Sequence, residues 1–232
     1  VKNNAKLALK RVEKLHASQW DKGMARVDLS LVKSILSLKQ TPHWIVGFDI
    51  SHFQGTHRVA SAVSFREGIP EKESYRKFQM KTDIQHSDDP ACIFEAVTRR
   101  LQLCKKEETL YPELLLIDGG ITQLHAAMDA VNLLGLTERV DIVSLAKEFE
   151  MLWRPEIKMP IVLEKRDPVL QLFQRVRDES HRFANAYQRQ KRRADYLSLL
   201  ESVPHLGPKR IGVLYRDAGT LENIQALSIE SL

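Results

Sequence analysis

The chain has 232 residues and is 43% hydrophobic, enough for one large domain or one domain with a small appendage. Its longest apolar runs, such as Leu114 to Ile117, fall far short of the roughly 20 residues that cross a bilayer, which excludes a helical membrane protein. Cys92 and Cys104 are the only cysteines and share one helical stretch, which excludes a disulfide scaffold and a paired metal knuckle and leads us to expect a reducing, cytoplasmic setting.

The net charge of +5 is unevenly spread: residues 165–193 carry nine Lys and Arg against three acids. Such clustering in one element is the footprint of a phosphate-backbone binder, and equally of a helix that faces an acidic partner. The first residue is Val1, so a fragment is the expectation.

Residues 1–40 show helical spacing in Ala5, Leu7, Leu9 and Val12 and stop at Thr41-Pro42, which predicts a helical lead-in. Trp44 to Ile50 reads as a buried strand, Ser51 to Thr56 as a turn, and Arg58 to Phe65 as a second strand. Glu67-Gly68-Ile69-Pro70 then turns the chain into a third strand, Ser74 to Met80, giving an antiparallel meander. Asp88-Asp89-Pro90 starts a helix that runs to about Lys106, with Pro90 as a first-turn proline.

From Leu114 to Ile117 the pattern becomes a buried strand, followed by Asp118-Gly119-Gly120, a helix from Thr122 to Leu134 and a strand from Val140 to Leu145. This is a strand, helix, strand unit with a parallel crossover. A hairpin of Met151 to Trp153 against Ile161 to Leu163 and a long helix from about Pro168 to Arg193 complete a mixed α/β sheet with helices on both faces. Ser198 to Arg216 reads as helix, tight turn and helix, and Leu221 begins another helical stretch. The expected domains are the lead-in over 1–40, the α/β domain over 41–195 and a small all-α element over 196–232.

Asp49 and Asp118 each close the apolar run of a strand. Carboxylates delivered to neighbouring strand ends can converge, and two like charges a few ångströms apart call for a cation such as Mg²⁺ or Mn²⁺ between them. Such an ion activates water and stabilises charge on the leaving oxygen of a phosphodiester. Each acid also has a plain structural reading, Asp49 as a turn residue and Asp118 as a helix N-cap. Gly119 and Gly120 would let backbone approach a phosphate or simply form a turn. No third glycine follows, so the chain lacks a dinucleotide fingerprint and a nucleotide-binding reductase is disfavoured. His181 lies roughly 120° from the apolar stripe Val169, Phe173, Val176, Phe183 and Tyr187. It is therefore off the core, either beside the two acids or solvated next to Asp178. Arg177, one turn earlier, could contact a phosphate.

Four strings in order, Phe48-Asp49-Ile50-Ser51-His52-Phe53-Gln54-Gly55, Ile117-Asp118-Gly119-Gly120 with Gln123-Leu124, Leu145-Ala146-Lys147 and Arg177-Asp178-Glu179-Ser180-His181-Arg182-Phe183-Ala184, closely resemble the C-terminal half of the UvrC family. Glu73 to Phe78, Asp88-Asp89, Arg99-Arg100 and Leu206 to Arg210 extend the similarity over nearly the whole chain. The resemblance implies an RNase-H-like endonuclease domain with a small all-α helix-hairpin-helix appendage. It further implies incision of DNA on the five-prime side of a lesion in nucleotide excision repair, together with UvrA and UvrB. Asp49, Asp118 and His181 match the family's catalytic and metal-holding residues, with Asp89 a lower-ranked fourth ligand. The implied DNA contacts fall on Arg177, Arg182, Gly207, Lys209 and Arg210. The hairpin turn reads His205-Leu206-Gly207 where the family has glycine first, and the segment that contacts UvrB is expected to lie outside this chain. A monomer is expected. The contrasting reading is a DNA- or partner-binding module with a vestigial site.

Overall fold

The computed structural model describes residues 27–52, 58–80, 89–146, 150–201 and 207–218. Most of the expected lead-in lies outside them. Its described end holds helix α1, Leu29–Leu36, which starts at Asp28, whose carboxylate accepts from the Ser30 N–H at 2.9 Å.

Among the described residues, seven strands form one sheet: β1 (Trp44–His52), β2 (Arg58–Arg66), β3 (Ile69–Pro70), β4 (Arg76–Gln79), β5 (Leu114–Asp118), β6 (Asp141–Ala146) and β7 (Met151–Trp153). Their order is β3-β2-β1-β5-β6-β7, with β4 also on β2. The central pairs β1–β5 and β5–β6 are parallel, whereas β1–β2, β2–β3, β2–β4 and β6–β7 are antiparallel. The described residues also form helices α2 (Asp89–Lys106), α3 (Ile121–Leu133), α4 (Pro168–Glu201) and α5 (Pro208–Ala218). The expected mixed α/β sheet is thus what forms. Among the described residues no helix is long and apolar enough to cross a membrane. Cys92 and Cys104 are free thiols, both buried.

Several elements depart from the sequence reading. β1 runs on to His52, paired with Arg58, so Ser51 and His52 belong to the strand; residues 53–57 lie outside the described ones. The third strand splits into β3 and β4 around a short 3-10 turn, Lys72–Ser74, because Pro70 has no N–H to continue a ladder. β7 pairs mainly with β6, and Ile161 meets it only through an isolated bridge to Leu152. α4 continues to Glu201 with no break near 195, since no glycine or proline interrupts 169–201. The expected domain boundary therefore falls inside one helix.

Strand parity sorts the core into two layers. Trp44, Val46, Phe48, Leu115, Ile117 and Ile142 face α2 and α3. Ile45, Val63, Phe65, Leu114, Leu116 and Val143 face α1 and α4. Leu114, Leu115, Leu116 and Ile117 are all essentially inaccessible to solvent, each contributing about 2 kcal/mol of burial free energy to hold β5 at the centre. Asp49 and Asp118 share parity with the second set, so both point to the face that α4 covers.

Candidate active site

The parallel pairing of β1 with β5 ends at Phe48 opposite Ile117, and the next residue on each strand is an aspartate. Register alone therefore sets Asp49 beside Asp118. α4 crosses above them and supplies His181, whose Nε2 lies 2.6 Å from Asp118 Oδ2 and 3.3 Å from Asp49 Oδ1. One ligand atom from each of Asp49, Asp118 and His181 can be chosen so that all lie within 4.8 Å of one another. Both carboxylates are largely buried, at 8% and 3% side-chain exposure, while the imidazole is 33% exposed at the mouth of the site. The Ser51 hydroxyl donates to Asp49 Oδ2 at 3.1 Å and orients it. Asp118, then Asp49, push the His181 imidazole up to about 9 against a smaller effect of burial, so Nε2 carries a proton that both acids accept near neutral pH.

The plain structural readings of these residues do not apply. Gly120, not Asp118, is the N-cap of α3, and the Gln123 side chain curls back to accept from the Gly120 N–H at 3.1 Å. Gly119 leaves room for that curl, because a Cβ there would sit 3.0 Å from the Gln123 side chain. Asp178 pairs with Arg177 at 3.0 Å, so it is not the partner of His181.

α4 is seated by contacts that composition and periodicity did not reveal. A Cβ on Gly47 would lie 2.4 Å from Val176 Cγ1, so glycine in β1 is what allows the helix to approach the sheet this closely. On β2, the fully buried Ser61 hydroxyl donates to the Ser180 carbonyl at 3.2 Å, one residue from His181. Ser61 is directly opposite Asp49 in the ladder. The sequence signal for Ser61 was its place as the one polar residue in the alternating set Val59, Ser61, Val63, Phe65.

The other expected site residues are scattered. Asp89 opens α2 and pairs with Arg58 at 3.5 Å, outside the three-residue cluster. Arg177 is held by Glu150 at 3.2 Å and by Asp178, with 16% of its side chain exposed. Arg182 forks onto the buried Glu179 with two bonds of 2.6 Å. Gly207, Lys209 and Arg210 are exposed at the start of α5, and the Gly207 carbonyl accepts from the Arg210 N–H. The turn at His205-Leu206 lies outside the described residues.

Residues 33–185 match the family described as the UvrC RNAse H endonuclease domain. The chain belongs to that family. Among its relatives is the UvrABC system protein C of Treponema denticola, 40% identical over 85% of this chain and 30% of that protein. The protein of the same name from Carboxydothermus hydrogenoformans is 39% identical over 98% of this chain and 39% of its own length. The chain thus spans about a third of the length of these relatives. A solved Ciona intestinalis endonuclease V in complex with DNA is 20% identical, covering 45% of this chain and 46% of its own, at a TM-score of 0.35, a likeness too distant to carry weight. Membership of the UvrC family accords with the RNase-H-like mixed sheet, and the matched span ends just past His181. All three members of the Asp49, Asp118, His181 cluster fall within it.

Proposed function

We propose that this UvrC-family chain is a divalent-metal-dependent DNA endonuclease that makes the five-prime-side incision in nucleotide excision repair. Asp49, Asp118 and His181 would hold the ion, Mg²⁺ or Mn²⁺. The observation that carries the reading is the convergence of two buried carboxylates and one imidazole from three separate elements. That donor set suits a divalent cation with water completing its shell. When bound, the ion supplies electrostatic stabilisation of the phosphodiester's charge and a water of lowered pKa. The chain's own residues prepare the site: β1 and β5 hold the acids in register, Ser51 orients Asp49, and His181 at the rim can hold or release a proton at Nε2. Asp89 is a weaker candidate for a further ligand, because its carboxylate already faces Arg58.

DNA would run over the mouth where His181 is exposed, with Lys209 and Arg210 as phosphate contacts and Gly207 keeping the start of α5 open to the backbone. Arg177 and Arg182 support this less directly, since acids already engage both. The relatives' names, which place them in a UvrABC system, support UvrA and UvrB as the partners that present the strand. We place it in the cytoplasm as a monomer. The test is nicking of supercoiled plasmid by the purified chain with Mn²⁺ or Mg²⁺. Asp49→Asn, Asp118→Asn and His181→Ala should each reduce nicking at least 100-fold while retaining the parental fold. Parental rates in all three variants would sink the proposal, and DNA binding with no metal-dependent cleavage would favour a vestigial binding module.

A further inference from the structure

On the side of α4 away from the acids, the buried Glu179 carboxylate accepts from the Tyr75 hydroxyl at 2.9 Å and takes both bonds of the Arg182 fork. Tyr75 stacks edge-on against Phe183 with ring centroids 5.0 Å apart, and Lys77 Nζ lies 4.3 Å above the Phe183 ring. Glu179 and His181 are two positions apart, so they leave the helix roughly 200° from each other. Between them Ser180 faces the sheet and Ser61. α4 therefore straddles the sheet, gripping β4's side through Glu179 and reaching β5's side through His181.

This geometry makes the roll of α4 decisive. A side-chain tip stands about 5–6 Å from the helix axis, so a roll of about 10° moves it by about 1 Å. A displacement of that size would break the 2.6 Å contact of His181 with Asp118. The Ser61 bond lies under the helix and resists sliding more than rolling. Resistance to roll comes from both flanks: Arg177 is tied to Glu150 on the side of His181, and Tyr75, Glu179 and Arg182 meet on the far side, where the contacts are buried.

We infer that Tyr75 and Glu179 are positioning residues of the nuclease site, a buried clamp that sets the roll of α4 and so the reach of His181 toward Asp49 and Asp118. The inference rests on the proposed nuclease reading, and its test is built to fail separately. Tyr75→Phe removes one hydroxyl and keeps the ring against Phe183; Glu179→Gln keeps the shape and removes the charge that Arg182 grips. Each variant of the full chain should nick plasmid about tenfold more slowly at saturating DNA, with the half-saturating DNA concentration within about twofold of the parent. In metal-free samples the His181 ring resonances, assigned with His181→Ala, should move in both variants while the other seven histidines stay in place. Unmoved His181 resonances with parental turnover would overturn the clamp, as would a rate loss that merely follows the unfolded fraction in thermal melts. If the parent itself does not nick, the nuclease reading fails, and the ring resonances still decide the clamp.

Discussion

At Nε2 of His181 one proton lies between two carboxylates, and its position there couples folding, pH and ion binding. The folded pKa of about 9 exceeds the ordinary histidine value of 6.5, so the pairing stabilises the metal-free protein fully below pH 6.5. That stability is lost as pH rises from 6.5 through 9. We predict a fall in melting temperature across this window, worth about 1–2 kcal/mol after allowance for solvent screening at a partly exposed group, and a flatter profile in His181→Gln. Asp118 is the larger cause of the shift, so Asp118→Asn should lower the His181 titration midpoint more than Asp49→Asn, followed by ring-proton resonances. Asp49 and Asp118 each stop an apolar run and His181 lies off its helix's apolar stripe, but those patterns left the turn, cap and solvated readings open, and it was the resemblance to the UvrC family that singled out the three. Tyr75 and Ser61 were not legible as positioning groups, because each meets a helix more than 100 residues further along the chain, a contact that exists only once α4 is seated on the sheet.

At the level of elements, the close seating of α4 over β1 depends on Gly47. Gly47→Ala should force the helix outward against Val176 and cost about 1–3 kcal/mol in denaturant unfolding, with nicking reduced further than stability explains. Arg154 provides a contrast at the opposite end of β6. It donates to the Leu36 and Ser37 carbonyls at the end of α1 and lies 3.4 Å from the nearly inaccessible Asp141. Arg154→Ala should cost about 1–3 kcal/mol, since Asp141 loses the guanidinium but keeps the Lys39 N–H at 2.8 Å and the Lys39 ammonium at 3.9 Å, yet nicking per folded molecule should hold. Most helices and central strands followed from periodicity, but β7's partner and the length of α4 did not. β7 is only three residues long, so tertiary pairing chooses its neighbour. The turn residues expected to end α4 come only at Pro204 and Gly207, and composition alone did not exclude a break before them.

For the whole molecule, the meander and the parallel crossover were legible, but the strand order was not: the connection rules limit the arrangements without saying that β5 lies against β1. Those rules could not supply the relation of α5 to DNA, because charge marks a phosphate-binding surface without saying which cations reach the phosphates. Replacing Lys209 and Arg210 together by alanine should raise the half-saturating DNA concentration and flatten its salt dependence by about one to two phosphate contacts, with turnover at saturation unchanged. The central claim is that Asp49, Asp118 and His181 together hold a divalent ion, and calorimetric titration of Mn²⁺ into the metal-free chain at pH 8 tests it most directly. His181 is largely protonated at that pH, so binding should proceed to one or two equivalents with net proton release, visible as a buffer-dependent enthalpy, and Asp118→Asn should abolish it. Equal Mn²⁺ affinity in the parent and in Asp118→Asn, with no proton released in either, would contradict the account.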